Sequence, residues 1–453
     1  MKKLLLKDIA EFCSAQTSLD GEISKISTDS RDIDENTLFV ALIGERFDAH
    51  DFIADVLQKG AKAVVCSKRV CDDERLILVE DTGKALLDIA HGYRKTFDIP
   101  FIALTGSVGK TTTKGMVYSV VNKKYNALRT AGNLNNEIGV PKTLFTLEEA
   151  HEAAVIEMGM NHFGEISVLS KTVEPQIACI TNVGTAHIEN LGSREGILKA
   201  KTEILDGMKK GDTLIINGDN DMLASFRNDD FEIIRFGIDG DELDMKARNI
   251  RVTSEGSVFT AVCGDEQTEV FVPSVGIHNV YNAMCAMCVG MKLGYSMEEA
   301  ADGVKDYVPE GMRQKITEYN NMVFIEDCYN ANPDSMAASL EAMKTINKGK
   351  SFAVLGDMLE LGDYSEKAHR EVGRKASQTG CSYVLCYGKL SRFTAEEASA
   401  SGTEAYSFDD KEKIAEFLYE NLSENDTVLF KGSRGMKMED IFNSLYKKLG
   451  FEP

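Results

Sequence analysis

Short apolar runs separated by amphipathic stretches recur along the whole chain. Their spacing predicts strands alternating with helices. In the first region, to about Ile99, residues 38–42 and 63–66 read as strands among helical stretches. A second region opens at Pro100 and runs to about Tyr307, with buried strands expected at 101–104, 154–157, 177–182 and 213–217. Pro309 and Gly311 mark the next break. Beyond it, strands at 322–326, 352–355, 383–386 and 427–430 alternate with helices beginning at Pro333, Ser365, Lys411 and Met436. The expected units are residues 1–99, 100–309 and 310–453, as suits 453 residues at roughly 100–200 per domain. Such alternation predicts an α/β protein of three domains built on parallel sheets covered by helices. In such sheets ligands sit at the carboxyl ends of the strands.

Composition narrows the partners. A hydrophobic fraction of 43% supplies several cores. The net charge of −21, from 72 acidic and 51 basic residues, repels a polyphosphate backbone, and no long basic run offsets it. Nucleic acid is therefore not an expected partner. A small anion is compatible with this charge, because a few backbone N–H groups bind phosphate on an acidic protein. The ten cysteines are scattered, and the Cys-x-x-Cys pair Cys285/Cys288 lies in an apolar run without a second pair or nearby histidines. Reduced thiols packed as small hydrophobes are expected there, not zinc. The N-terminal MKKLLLKDIA has three consecutive leucines before a charge, too few for a signal-peptide core. No stretch reaches the ~18–20 apolar residues of a membrane span. A soluble, cytoplasmic protein is expected.

The strongest local signal is FIALTGSVGKTTT at 101–113, an apolar run, a glycine loop and a helix start. Gly106 and Gly109 permit a tight turn and a close backbone approach to phosphate. The helix N-terminus adds partial positive charge. Thr105, Gly106, Ser107, Val108, Gly109, Lys110, Thr111 and Thr112 are the candidate nucleotide-binding residues. Lys110 suits the β/γ-phosphates and the Thr111 hydroxyl suits Mg²⁺. The general phosphate-loop pattern has glycine where this chain has Leu104.

The variant T-G-x-x-G-K-T-T resembles the ATP loop of the Mur ligases and their folate-ligase relatives, and the likeness continues in order along the chain. Residues 132–141 (GNLNNEIGVP), 157–160 (EMGM), 181–187 (TNVGTAH), 199–204 (KAKTEI) and 277–282 (IHNVYN) resemble successive segments of that family's central domain. Residues 327–334 (DCYNANPD) and 431–434 (KGSR) resemble its C-terminal motifs. Residues 27–31 (STDSR) and 39–50 (FVALIGERFDAH) resemble its uridine-nucleotide domain. The segments 133–141, 329–333 and 431–434 point to the branch that adds a dipeptide.

The resemblance implies a central phosphate-loop ATPase domain, a C-terminal Rossmann-like domain and a smaller α/β N-terminal domain. It also implies a two-step reaction. A substrate carboxylate takes the γ-phosphate of ATP to become an acyl phosphate, and an amine then attacks that carbonyl. The substrates it implies are UDP-N-acetylmuramoyl-tripeptide and D-alanyl-D-alanine, used by a monomer with ATP and two Mg²⁺. Thr111, Glu157 and His187 would hold metal. Lys201 would carry a CO₂-derived carbamate that serves as a further oxygen ligand. By residue type alone Lys199 and Lys201 are helix-surface lysines, and spacing does not separate them; the family pattern favours Lys201. His278, Asn279 and Asn282 would meet adenine or ribose, and Arg313 would reach the ATP phosphates from the third domain. Asn135 and Asn136 would touch substrate. Asn330, Asp334, Lys431, Ser433 and Arg434 would orient the dipeptide, with Arg434 on its carboxylate. Ser30, Arg31, Arg46, Asp48 and His50 would contact the uridine diphosphate.

Sister ligases that add one amino acid, or a folate-type glutamate ligase, remain alternatives, as does a phosphate-loop ATPase switch that makes no bond. The asparagine-rich segments argue against the first two. A switch leaves His187, Lys201 and the third-region motifs without a role.

Overall fold

Along the central strands, successive residues face opposite cores, the period of two that strand geometry imposes. Phe101, Ala103, Ala154, Ile156, Ala178 and Ile180 fill one core, and Ile102, Leu104, Ala153, Val155 and Cys179 fill the other. A sheet buried on both faces must be covered by helices on both. Glu165–Val173 lies over one face, and Lys110–Val121 and Ile277–Lys292 over the other. The computed structural model describes residues 1–309 and 311–452. Glu310 and Pro453, which open and close the third expected unit, lie outside the described residues.

Three larger sheets carry the chain. The first has four parallel strands in the order Lys25–Ser27, Thr37–Val40, Ala63–Cys66 and Leu76–Leu78. Helix Thr82–Arg94 joins its core to that of the central sheet. The central sheet has nine strands. Phe101–Thr105 lies between Ile177–Ile180 and Ala153–Glu157, parallel to both. Leu104 pairs in register with Glu157, so that carboxylate stands beside the start of the phosphate loop.

Two expectations for the central sheet need correction. The central sheet is not wholly parallel: Met245–Val252, Ser257–Cys263 and Glu266–Val272 form antiparallel pairs at one edge. The outward positions of the first and third of these strands are largely polar, Lys246, Arg248, Gln267 and Glu269 among them, so no continuous apolar run marks those two. The expected strand at 177–182 ends at Ile180, and 181–187 is loop.

The third sheet has the order Lys315–Tyr319, Met322–Asp327, Thr427–Lys431, Ser351–Gly356, Tyr383–Tyr387 and Glu404–Phe408. All but the first strand run parallel. Helices Pro333–Ile346 and Ser365–Gln378 pack on one face, and Lys411–Asn421 and Glu439–Leu449 on the other. Helices that follow adjacent strands therefore diverge on either side of Thr427–Lys431. This is the topological switch point where doubly wound sheets open a crevice at their carboxyl ends. The last helix starts at Glu439, not Met436, because Lys437 takes a left-handed φ of 49° that breaks the helical run.

Candidate active site

The phosphate loop is held by the loop that follows the strand Ile177–Ile180 beside it. Asn182 accepts N–H bonds from Ser107 (3.0 Å) and Val108 (2.9 Å) through its side-chain oxygen. The Thr181 hydroxyl donates to the Val108 carbonyl at 2.7 Å, and the Ser107 hydroxyl accepts from Gly184 N–H at 2.9 Å. A Cβ on Gly106 would sit 1.9 Å from Thr181 Oγ1, so only glycine fits there. Gly109 has φ +82° directly before helix Lys110–Val121. Thr105 is buried with no hydrogen bond to its hydroxyl, and Thr112 lines the cleft ahead of the loop.

At the helix start, Lys110 donates to the Gly106 carbonyl at 2.7 Å. The Thr111 hydroxyl donates to Glu157 Oε2 at 3.0 Å, and Asn135 donates to Glu157 Oε1 at 2.9 Å. One turn further on, fully buried Lys114 pairs with Glu157 Oε2 at 3.2 Å and also bonds the Gly132 carbonyl. Burial alone would raise the Glu157 pKa, but Lys114 and Lys110 outweigh it and hold the acid below its ordinary value. Burial pushes the Lys110 ammonium down, against the pull of Glu157. Asn136 caps the next segment by accepting from Gly139 N–H at 2.9 Å, and it lines the same cleft.

His187 follows the strand Ile177–Ile180 in a left-handed conformation, φ +63°. Its Nδ1 is buried and makes no hydrogen bond; Glu360 Oε2 lies 3.5 Å away. Burial, together with the neighbouring Lys110 and Lys201, lowers its pKa to about 4, so the ring is neutral at pH 7. Lys201 is buried at 1% exposure, whereas Lys199 is exposed with its ammonium 5.7 Å from the Phe163 ring. Burial, then Lys110, drives the Lys201 pKa well below the ordinary lysine value. The buried residue of the two is thus the one the family pattern favours.

Helix Ile277–Lys292 brings an amide chain to the loop. Thr113 donates to Asn282 Oδ1, Asn282 to Asn279 Oδ1, and Asn279 to Gln314 Oε1, each at 3.0 Å. His278 Nε2 lies 3.1 Å from the same Gln314 oxygen. Arg313 stacks its guanidinium 3.8 Å from the Tyr329 ring centroid.

The third sheet completes the cleft, whose volume is about 420 Å³. Asp327 and Lys431 are register partners on adjacent strands, and Lys431 Nζ lies 2.6 Å from Asp327 Oδ2. Ser339 donates to the same oxygen at 2.6 Å. Burial would raise the Asp327 pKa, yet Lys431 and the hydrogen bonds hold it low. Lys431 therefore reaches the cleft already paired. Removing one partner from such a buried pair costs about 3–5 kcal/mol. Asp327→Ala is expected to lower the urea midpoint accordingly, and an unchanged midpoint would show the pair to be energetically idle.

Asn330 lines the cleft, with its Oδ1 accepting from Ala331 N–H. Asp334 accepts from Thr185 N–H at 3.3 Å, which ties the third unit to the loop before His187. Ser433 is buried and accepts from Leu359 N–H at 2.9 Å. Arg434 does not line the cleft; it pairs with Glu439 at 2.6 Å.

The first-unit candidates also stand outside this cleft. The Ser30 carbonyl accepts from Lys59, Arg31 pairs with Asp29, and Arg46 is exposed. His50 is buried with both ring nitrogens engaged, by Asp48 at 2.5 Å and by Ser67 N–H at 2.9 Å, so it can position a ligand only through those neighbours. Lys68 and His50 hold Asp48 far below the ordinary carboxylate range. Lys114, Asn182, Gln314, Tyr329 and Glu360 escape sequence reasoning. Lys114 alone had a signal, since it lies four residues past Lys110 on the same helix face.

A divalent cation bound to phosphate suits these donors. Thr111 and Glu157 offer oxygens 3.0 Å apart, and His187 Nδ1 is an unpartnered buried nitrogen. No group of three or more His, Cys, Asp or Glu gathers among the described residues. Mg²⁺ needs no such cage, because it takes one or two protein carboxylates together with substrate phosphates and water.

A phosphate loop facing the switch point of a second α/β sheet agrees with what family comparison finds. The Mur ligase middle domain matches residues 104–290, the Mur ligase glutamate ligase domain 312–434, and the Mur ligase family catalytic domain 22–94. The chain belongs to the Mur ligase family. Within that family it is similar to the UDP-N-acetylmuramoyl-tripeptide–D-alanyl-D-alanine ligase of Bacillus subtilis, 38% identical over 98% of this chain and 99% of the relative. Among solved structures, MurF from Acinetobacter baumannii superposes with a TM-score of 0.92, at 32% identity and 99% coverage of both chains. MurF ligase from Thermotoga maritima in complex with ADP gives 0.87 at 28% identity, covering 94% of this chain and 98% of that one. No helix among the described residues is long and apolar enough to cross a membrane.

Proposed function

We propose that this chain is the ATP-dependent ligase that joins D-alanyl-D-alanine to UDP-N-acetylmuramoyl-tripeptide, giving the pentapeptide, ADP and phosphate for peptidoglycan synthesis in the cytoplasm. One observation carries the reading: phosphate-loop residues 107–112 and the strand-end residues Asp327, Asn330 and Lys431 line a single cleft. An ATP γ-phosphate and an incoming amine are thereby brought within one chain, which supports a monomer. The ADP complex of the Thermotoga maritima relative supports the nucleotide.

In this reading Lys110 neutralises charge on the β/γ oxygens, and phosphoryl transfer relies on such positioning more than on covalent chemistry. Thr111, Glu157 and His187 hold Mg²⁺, which supplies charge compensation between the two anions that must meet. The carbamate on Lys201 adds an oxygen donor. Asn279 and Asn282 face the nucleoside, and Arg313 reaches the phosphates across the cleft. Asn330, Asp334, Lys431 and Ser433 shape the dipeptide subsite, Asn330 and Lys431 from the wall and the other two by bracing loops. Residues 1–99 bind the uridine nucleotide, 100–309 bind ATP and 310–453 receive the dipeptide. A second cleft of about 890 Å³ runs between the first two units, lined by Ile43, Ser67, His91, Glu137 and Lys171. It supports placing the UDP-linked substrate there, with Ser67 held by His50.

The test is phosphate release by purified protein with Mg²⁺-ATP and UDP-N-acetylmuramoyl-tripeptide, with and without D-alanyl-D-alanine. Release that requires the dipeptide, with a pentapeptide product seen by mass, is the expected result. Release indifferent to the dipeptide, with no new amide, would overturn the reading in favour of a sister ligase or an ATPase.

A further inference from the structure

The loop after strand Ser351–Gly356 enters the cleft at Glu360, a residue with no part in the reading above. It is anchored on both sides of that residue. Met358 and Leu361 are buried in the third-unit core, and Leu359 N–H donates to Ser433 Oγ at 2.9 Å. Between these anchors Glu360 adopts a φ of +63°, in the left-handed region. A long side chain there costs of order 1 kcal/mol, and such strain persists where surrounding contacts impose it, often at ligand clamps. The loop also abuts the His187 segment: a Cβ on Gly362 would meet Glu189 Cγ at 2.9 Å. Glu360 is thus presented by the third unit directly against the histidine loop of the second.

Charge bookkeeping along the third-unit wall singles this residue out. Asp327 is consumed by Lys431 at 2.6 Å. Arg313 is a cation stacked on Tyr329. Glu360 has a side chain 68% exposed, and the one basic side chain within 4 Å of its carboxylate among the described residues is the neutral His187, at 3.5 Å and without a hydrogen bond. No lysine or arginine among the described residues pairs with it. The wall that faces the phosphate loop therefore carries Glu360 as an exposed carboxylate with no Lys or Arg partner among the described residues, whereas Asp334, another carboxylate there, accepts from Thr185 N–H.

The amino component of the reaction is a zwitterion in water. Its ammonium must approach the carbonyl activated beside Lys110, in a cleft where Lys110 and Arg313 already supply positive charge. An ammonium enters such a site favourably only opposite a carboxylate, and that charge-assisted bond is short and directional. We propose that Glu360 is the residue that receives the ammonium of the incoming dipeptide and sets its nitrogen against the His187 loop. The assignment rests on the ligase reading above and deepens it. Because the carboxylate comes from the third unit, the amine site is complete only when that unit lies against the central one. Amine capture and closure are then one event.

The experiment compares wild type with Glu360→Gln and Glu360→Asp in steady-state ligation. Glu360→Gln should raise KM for D-alanyl-D-alanine by about 10- to 100-fold, the range for loss of one hydrogen bond to a charged group. Glu360→Asp should recover part of it, and the KM values for ATP and Mg²⁺ should stay put. Propionyl-D-alanine, which keeps the carboxylate and lacks the amine, should inhibit wild type and Glu360→Gln equally. An unchanged dipeptide KM in Glu360→Gln, or a shift confined to the Mg²⁺ requirement, overturns the assignment; the latter makes Glu360 a metal ligand. Wild-type protein that does not couple the dipeptide overturns the functional reading itself, and with it this assignment.

Discussion

Replacing Lys201 with methionine is expected to lower kcat by about 10²- to 10³-fold, the size of effect seen when one preorganised electrostatic group is lost, while leaving the protein folded and no less stable. Lys201 lies on helix Arg194–Thr202 and is 1% exposed. The influences on its ammonium are burial and then Lys110, and both disfavour charge. An amine whose charged form is disfavoured presents its free electron pair more readily. It can add to the carbon of CO₂, forming an N–C bond as one carbonyl electron pair moves to oxygen and a proton leaves nitrogen. The product is an anion with two oxygen donors where an amine would otherwise stand. Methionine keeps the length and apolar stem of lysine without a polar nitrogen that burial penalises. The sign of the pH effect follows from the lowered pKa. Between its folded value and the ordinary 10.5, the unfolded chain holds one more proton than the folded chain, so stability rises with pH across that window. Lys201→Met should lose that slope. Stripping CO₂ from wild type should reduce activity reversibly, with bicarbonate restoring it; the variant should not respond. A fully active Lys201→Met protein would remove the carbamate from the mechanism.

The parts of this site that were legible in the sequence are those whose residues are contiguous. The phosphate loop is a strand end, a turn and a helix start within 13 residues, and each step has its own residue requirement. The Asp327–Lys431 pair is different: its members are 104 positions apart, and only the parallel register of two strands makes them neighbours. Lys114 carries only the weak signal of its spacing from Lys110, because a helical lysine is ordinarily a surface residue; here it is fully buried against Glu157 and the Gly132 carbonyl. The hairpins between 245 and 272 are hard to read because the outward polar positions of their two flanking strands dilute the apolar signal. Arg434 and His50 show the converse limit. Their residue types suit a ligand, yet Arg434 pairs through one guanidinium nitrogen with Glu439, and both His50 ring nitrogens are engaged by Asp48 and Ser67.

Glu157 does two jobs that a pair of substitutions should separate. It accepts from Thr111 and Asn135 at the base of the cleft, and it neutralises fully buried Lys114. Glu157→Gln should lower kcat by about 10³-fold, because a metal-oxygen contact contributes several kcal/mol to the transition state and each 1.36 kcal/mol is tenfold in rate. It should also destabilise the protein by about 3–5 kcal/mol, since Lys114 is left buried without its anion. Wild-type Glu157 has a pKa below its ordinary 4.5, so its contribution to stability is fully present above that pH. That contribution disappears as pH falls through the lower folded value, and the variant should lack this acid transition. Adding Lys114→Met removes the stranded charge and replaces it with an apolar side chain of similar length. The double variant should regain most of the lost urea stability and none of the lost rate. Recovery of rate along with stability would mean that Glu157 acts only by holding Lys114, and the metal would then have to be held from elsewhere in the cleft.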